Sequence, residues 1–232
     1  MIQYLQLPVS FDHTTMQAEL NLLGNHLWAL HFQVKHYAGE WSAIPLRSIN
    51  GDLENKFISP VEDASLYKDT ELLNRCPYFQ EVLAYFKCPL MAARLLKLTP
   101  GTQVHEHRDY DLCFEEGLAR FHIPVLTNPD IEFILQGEPM QLKEGECWYM
   151  NFNLPHSLHN KSNSDRVHLV IDAVVNDWMR ELFAQPGIKN KKETEPAPRH
   201  SREEQNEIIA HLRKMNTEIS NKLADEMESQ LR

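Results

Sequence analysis

The second half of the chain, from Met91 onward, breaks into short apolar segments, and turn-forming residues separate them at regular intervals. Pro100-Gly101 and Gly137-Glu138-Pro139 are two of these turn signals. Many short strands at even spacing are typical of a β-sandwich or barrel, so we predict a mainly β fold. The predicted strands are Ala93–Leu98, Ala119–Val125, Ile131–Leu135, Gln141–Leu142, Cys147–Phe152, Ser157–His159 and Val167–Val174.

The first half of the chain mixes the two kinds of periodicity. Tyr4–Val9, Trp28–Tyr37 and Ser42–Ile49 resemble strands, whereas Met16–Leu23 and Asp69–Phe86 have helical spacing of apolar residues. We therefore expect helices to flank the β domain.

Composition narrows the class of protein. The 232 residues are 42% hydrophobic and 24% charged, which excludes a fully disordered chain, and the net charge is -10. An acidic surface repels phosphate, so we expect no nucleic-acid partner. No apolar run is long enough to span a membrane, and the N-terminus shows no signal-peptide pattern. The four cysteines are scattered, which favours free thiols in the cytoplasm.

The C-terminal part of the chain differs from the rest. We expect a β domain over 1–185, a polar, proline-bearing linker over 186–200 and an amphipathic helix over 201–232. This helix would pack on its own domain or stay solvated, or it would pair with a second subunit to form a homo-oligomer. Its apolar stripe consists of Ile208, Leu212, Met215, Ile219, Leu223, Met227 and Leu231.

Two polar clusters carry residues suited to metal chemistry. In an extended His105–Asp109 segment, His107 and Asp109 share one face, and His156 follows much later in the chain. Two imidazoles and one carboxylate form the triad that binds non-haem Fe(II). His107, Asp109 and His156 are therefore candidate ligands, although twelve histidines also produce surface His-x-Asp pairs by chance.

Three basic side chains lie within apolar strand candidates. Arg166 begins one such strand, and Arg120 and His122 share a face of another. An arginine inside a β core requires an anion, so these residues could hold a small dicarboxylate. The alternative is pairing with core carboxylates such as Glu132 or Asp172.

The segment from His107 to Phe183 resembles the aspartyl/asparaginyl β-hydroxylase family of 2-oxoglutarate-dependent oxygenases. The likeness runs through HRDYDL, EEGLARFHIPVLTNP, GECWYMNFNLPHSLHN and DRVHLVID. It implies a double-stranded β-helix, which is a jelly-roll, cupin-like barrel. It also implies Fe(II) on His107, Asp109 and His156, with 2-oxoglutarate held by Arg166 at its distal carboxylate and by Arg120 and His122 near the metal.

The resemblance further implies a dioxygenase that consumes dioxygen, releases succinate and CO2, and hydroxylates an amino acid or amino acid-like group. Animal members that act on peptides lack the acidic ligand. Asp109 therefore makes this chain look more like bacterial members, some of which hydroxylate free proline.

Two other interpretations stay open from the sequence. One is a metal cupin with His105, His107, Glu115 and His156 as ligands. The other is a non-catalytic barrel whose C-terminal helix binds a partner.

Overall fold

The computed structural model describes residues 1–30, 37–53, 63–109, 112–185 and 190–192, together with Ile209, Ala210, Arg213 and Glu228 as isolated positions. The chain forms two compact units, Met1–Thr194 and Glu195–Arg232. The predicted C-terminal helix over 201–232 lies outside the described residues apart from those four positions, and so does most of the predicted linker.

The described part of the first unit is built mainly of strands. Its strands are β1 (Ile2–Ser10), β2 (Ala29–Leu30), β3 (Tyr37–Ala38), β4 (Trp41–Ile49), β5 (Tyr67–Asp69), β6 (Leu90–Leu98), β7 (Gln103–His107), β8 (Leu118–Leu126), β9 (Ile131–Leu135), β10 (Glu138–Met140), β11 (Glu146–Met150), β12 (His156–Asn160), β13 (Arg166–Val174) and β14 (Asn190–Lys192). Its α-helices are α1 (His13–Leu23), α2 (Pro77–Ala84) and α3 (Asp177–Phe183). Short 3₁₀ segments cover Asn25–Leu27, Ala64–Leu66, Leu73–Arg75 and Phe114–Glu116.

The strands form two antiparallel sheets. The larger sheet has the order β14-β1-β11-β8-β13-β6-β4-β2, with β5 also paired to β4, and the smaller one has the order β10-β9-β12-β7-β3. Phe133 and Leu135 of the smaller sheet share a buried core with Trp148 and Met150 of the larger one. The predicted mainly β, jelly-roll-like fold with flanking helices is therefore confirmed.

The three central strands of the larger sheet, β6, β8 and β13, are buried on both faces. Alternate residues of β8 lie on opposite faces of the sheet, since successive side chains of a strand point in opposite directions. Phe121 and Ile123 pack in the outer core with Phe79 of α2. Arg120 and His122 lie on the other face, so this strand directs charged and polar groups between the two sheets.

Two local predictions were wrong. Only Pro77–Ala84 of the predicted helix over Asp69–Phe86 is α-helical, because proline fits the first turn of a helix but not its interior. The predicted strand Gln141–Leu142 lies instead at Glu138–Met140. Gln136 and Gly137 both have positive φ (51° and 74°), which gives a two-residue hairpin turn.

Other features of the described residues bear on the sequence predictions. Asn190–Lys192, inside the predicted linker, pairs with β1 at the edge of the larger sheet. The predicted strand Trp28–Tyr37 is observed only at its ends, because residues 31–36 lie outside the described part. All four cysteines are free thiols. Among the described residues, no helix has the length and apolar character required to cross a bilayer.

Candidate active site

The three candidate metal ligands meet where β7 and β12 pair. His156 lies opposite His107 in this antiparallel pair, and the centroids of their rings are 4.2 Å apart. Asp109 follows the end of β7, and its backbone N–H donates to the carbonyl of Phe152 at 2.9 Å. One ligand atom from each of His107, Asp109 and His156 lies within 4.8 Å of the other two. The structure thus brings the predicted triad together.

Backbone carbonyls fix the tautomer of both histidines. Nδ1 of His107 lies 2.8 Å from the carbonyl oxygen of His105, and Nδ1 of His156 lies 3.0 Å from that of Leu154. A carbonyl oxygen only accepts hydrogen bonds, so Nδ1 donates and Nε2 is the unprotonated nitrogen of each neutral ring. Burial lowers the pKa of His156 to about 4, so this ring is neutral at pH 7. Both rings therefore offer the nitrogen that a metal ion binds.

The carboxylate of Asp109 is held by Arg120. Burial raises the pKa of Asp109, but Arg120, followed by His156 and His107, lowers it by more, so the pKa lies below its usual value. Nη1 of Arg120 donates to Oδ2 of Asp109 at 2.6 Å, and Oδ1 lies 3.7 Å from Nε2 of His107. One oxygen is thus engaged by the guanidinium while the other faces a histidine. This donor set fits a divalent cation with further positions left open.

Arg120 is held in turn by a second carboxylate. Its Nε and Nη2 donate to the two oxygens of Asp172 at 2.6 and 3.1 Å. Nη2 of Arg94 donates to Oδ2 of Asp172 at 2.9 Å. These contacts form a series of ion pairs that runs through the interior of the barrel to the triad. We call this series, Arg94–Asp172–Arg120–Asp109, the Arg–Asp chain. Arg120 therefore pairs with Asp172, which was the alternative that the sequence left open for it.

Arg94, at the far end of the Arg–Asp chain, is incompletely paired. It is buried, and its Nε has no hydrogen-bond partner in the described part of the chain. Two guanidiniums share Asp172, and Arg120 already contacts both of its oxygens. Arg94 thus contributes a positive charge with an unused Nε donor.

Arg166 is a buried arginine that pairs with no carboxylate in the described part of the chain. It is 2% exposed, and none of the ion pairs among the described residues includes it. Its Nη2 contacts Nδ1 of His168 at 2.9 Å, and its Nε has no partner among the described residues. Burial lowers its pKa to about 9. Glu132, the other carboxylate considered from the sequence, pairs with Lys161 at the surface.

Two histidines complete a polar cluster around Arg166. Nδ1 of His122 lies 3.3 Å from Nδ1 of His168. Burial, followed by the charge of Arg166, lowers the pKa of both rings well below the usual value. His122 stacks on Phe152, whose ring meets that of His156 edge-on. The Arg166 cluster, consisting of Arg166, His168 and His122, is therefore connected to the triad through one aromatic ring.

The ligand set expected for a cupin is not assembled. The side chain of His105 is exposed, and Glu115 accepts a hydrogen bond from the backbone N–H of Ile2 at 2.6 Å. Among the described residues, the group that can hold a metal ion consists of His107, Asp109 and His156.

Two interior residues were missed as site residues by the sequence reasoning. Arg94 lies within the apolar segment MAARLLKL, which is the same signal that drew attention to Arg166. His168 follows Arg166 by two residues, so it shares a strand face with it. Both could have been found by applying the period-two rule to every buried strand.

Comparison with known proteins identifies a protein family that matches this chain and one related protein. A family model described as Aspartyl/Asparaginyl beta-hydroxylase matches residues 11–175. The L-proline cis-4-hydroxylase of Rhizobium meliloti (strain 1021) is 28% identical over 166 residues. The aligned region covers 71% of this chain and 58% of that protein, so the chain spans little more than half the length of this relative.

Solved structures match the chain at low identity. A viral collagen prolyl hydroxylase from Paramecium bursaria Chlorella virus-1 is 14% identical, covers 74% of this chain and 96% of its own, and has a TM-score of 0.42. An oxidoreductase of the 2OG-Fe(II) oxygenase family from Burkholderia pseudomallei is also 14% identical, covers 68% of this chain and 78% of its own, and has a TM-score of 0.39.

Proposed function

The chain belongs to the aspartyl/asparaginyl β-hydroxylase family, and from this premise we propose that it is an Fe(II)- and 2-oxoglutarate-dependent dioxygenase. Its substrate in this proposal is an amino acid or amino acid-like group. When bound, iron and 2-oxoglutarate supply the oxidising chemistry, which consumes dioxygen and releases succinate and CO2. The observation that carries the proposal is the buried Arg166, which has no carboxylate partner among the described residues and lies next to a triad of candidate metal ligands.

The triad residues hold the iron in this proposal. His107 and His156 contribute Nε2, because their Nδ1 atoms are committed to backbone carbonyls. Asp109 contributes Oδ1, because its Oδ2 accepts from Arg120. This arrangement favours binding of Asp109 through one oxygen, which keeps coordination positions open for the co-substrate and dioxygen.

Arg166 binds the distal carboxylate of 2-oxoglutarate in this proposal. A buried guanidinium without an anion is costly, so a dianion that enters beside it relieves that cost. His122 lies between Arg166 and the triad, and its Nε2 has no partner among the described residues. We therefore place the metal-side carboxylate of the co-substrate next to His122.

Arg94 is our candidate for the carboxylate of the substrate. It is linked to Asp109 through Asp172 and Arg120, it is buried, and its Nε is unused within the described residues. The similarity to an L-proline cis-4-hydroxylase supports a free amino acid as the substrate class. A free α-carboxylate is the group that this guanidinium would recognise. We also propose that the enzyme works in the cytoplasm, where its four free thiols stay reduced.

Binding of 2-oxoglutarate to the anaerobic Fe(II) protein tests the proposal, with the charge-transfer band as the readout. Loss of a buried, charge-paired arginine costs roughly 2–5 kcal/mol, so Arg166→Ala should bind about 30- to several-thousand-fold more weakly. Arg166→Lys should also bind weakly, because an ammonium lacks the planar fork of donors. Arg180→Ala, at an exposed position of α3, is the matched control. Wild-type affinity in Arg166→Ala would overturn the assignment.

Succinate release tests turnover and substrate class. Free amino acids, including proline, should be compared with peptides that contain Asp or Asn, and the products identified by mass spectrometry. Hydroxylation of a free amino acid is the expected result. Turnover with the peptides alone would overturn the proposed substrate class but not the proposed reaction.

A further inference from the structure

His168 lies at the centre of the Arg166 cluster and has no role in the function proposed above. It is 2% exposed and lies on β13, two residues after Arg166 and therefore on the same strand face. Its Nδ1 contacts Nη2 of Arg166 at 2.9 Å and faces Nδ1 of His122 at 3.3 Å.

These contacts determine which nitrogen of the neutral His168 ring carries the proton. A guanidinium only donates hydrogen bonds, so Nδ1 of His168 accepts from Arg166 and carries no hydrogen. The proton of the neutral ring is therefore on Nε2.

That N–H group is a buried donor for which the described ranges supply no acceptor. Nε2 of His168 and Nε of Arg166 both have no hydrogen-bond partner among the described residues. Leaving a buried donor unsatisfied is costly, and two such donors on one strand face indicate a missing acceptor with several lone pairs. A carboxylate has that property, since it accepts about four hydrogen bonds.

We propose that His168 is a co-substrate-binding residue whose Nε2–H donates, together with Arg166, to the distal carboxylate of 2-oxoglutarate. The inference rests on the proposed function, because it needs 2-oxoglutarate in this pocket. The location favours the distal carboxylate, because His122 and Phe152 lie between His168 and the metal-binding His156. His168 thereby makes the site select 2-oxo acids that carry a second carboxylate.

Two amide variants separate this role from one in which His168 merely orients Arg166. His168→Gln places an amide near the position of Nε2, whereas His168→Asn places one near Nδ1. Direct donation to the carboxylate predicts that Gln retains affinity for 2-oxoglutarate and that Asn loses it. Orientation of Arg166 predicts the reverse. His168→Phe keeps an aromatic ring without nitrogen atoms, and His26→Asn is an exposed control.

Calorimetry on the Mn(II)-loaded protein supplies a readout that does not depend on turnover. A hydrogen bond to a charged group predicts a loss of roughly 10- to 100-fold for 2-oxoglutarate in the Phe and Asn variants. Pyruvate has the same 2-oxo acid head without the distal carboxylate, so its affinity should stay at the wild-type level in every variant.

Each result decides for or against the proposal. Recovery of at least tenfold affinity in His168→Gln relative to His168→Phe, with pyruvate binding unchanged, supports it. Retained affinity in His168→Asn, failure of His168→Gln to recover, or equal losses for both ligands would overturn it while the proposed function stands. Absence of metal-dependent 2-oxoglutarate binding in the wild type would overturn both.

Discussion

Replacing Asp172 with asparagine should destabilise the protein more than any change in its surface charges. Asp172 is 3% exposed and accepts two hydrogen bonds from Arg120 and one from Arg94, at 2.6 to 3.1 Å. Asparagine keeps the shape of the side chain but removes its charge and one acceptor oxygen. Two buried guanidiniums would then share Asp109 as their only carboxylate in the Arg–Asp chain.

The size of this effect follows from the burial of the pair. Breaking a buried ion pair by removing one partner costs about 3–5 kcal/mol. A chain of this length loses about 2–4 °C in melting temperature per kcal/mol, so Tm should fall by roughly 6–20 °C. A total stability of about 10 kcal/mol, in the middle of the usual range for a domain, leaves the variant folded at low temperature.

The effect should also depend on pH. Burial raises the pKa of Asp172, but Arg120 and Arg94 lower the pKa by more than burial raises it. The folded-state pKa therefore lies below its ordinary value of 3.8. A carboxyl with a lowered folded-state pKa stabilises the protein above the unfolded-state value, and this contribution is lost as the pH falls through the folded-state value. The difference in the free energy of unfolding between wild type and Asp172→Asn should therefore have its full size at pH 7 and shrink below pH 3.8.

Urea unfolding of the metal-free protein measures this change. Asp69→Asn is the control, because Asp69 is half exposed in its ion pair with Arg47 and should contribute less than about 1 kcal/mol. Arg94→Met should destabilise the wild type but restore stability in the Asp172→Asn background, because it removes the charge left without a partner. A loss below about 1 kcal/mol, or equal effects of Arg94→Met in both backgrounds, would refute the reasoning.

Three further predictions concern the metal and the C-terminal unit. His156→Ala should abolish stoichiometric Fe(II) binding in metal analysis while circular dichroism shows an intact fold, and His105→Ala should have little effect because its side chain is exposed. Arg108→Ala should weaken metal binding roughly 10- to 100-fold. The reason is that Nη1 of Arg108 donates to the carbonyl of Asn153 at 2.8 Å and so connects the two segments that carry the ligands. Unchanged metal affinity would exclude this role. Truncation after Thr194, which keeps β14, should leave metal and 2-oxoglutarate binding intact but lower the number of subunits per particle in light scattering. An unchanged number of subunits would exclude pairing through the predicted C-terminal helix.

The sequence predicted the elements of the barrel where local signals were strong. Ile131–Leu135 was predicted with the observed bounds, because alternation and flanking turn residues define it on both sides. The helix α3 was missed, since seven residues give too few turns to establish a period. The cap formed by Asn176, which accepts from the backbone N–H of Met179, was the signal that could have located its start.

The candidate ligands could be named from spacing, but the partners of the arginines could not. Arg120 and Asp172 are far apart in the chain and become neighbours through the register of β8 and β13, which places them directly opposite each other. A shift of one residue would turn either side chain to the outer core. Sequence patterns give the faces of a strand but not its register with a partner, so both partners for Arg120 stayed open until the structure was known.

The charges inside the barrel argue for the same set of ligands as the geometry. Among the described residues of the barrel interior, three buried guanidiniums, on Arg94, Arg120 and Arg166, face two carboxylates, on Asp109 and Asp172, so one positive charge is left over when the histidines are neutral. A divalent cation on the triad raises this excess to three. Buried charges need compensation, and the dianion 2-oxoglutarate removes two of the three. The Arg–Asp chain is neutral by itself, with two guanidiniums and two carboxylates, so the excess comes from Arg166 and the bound cation; in the proposed function the carboxylate of the substrate removes the last of the three positive charges.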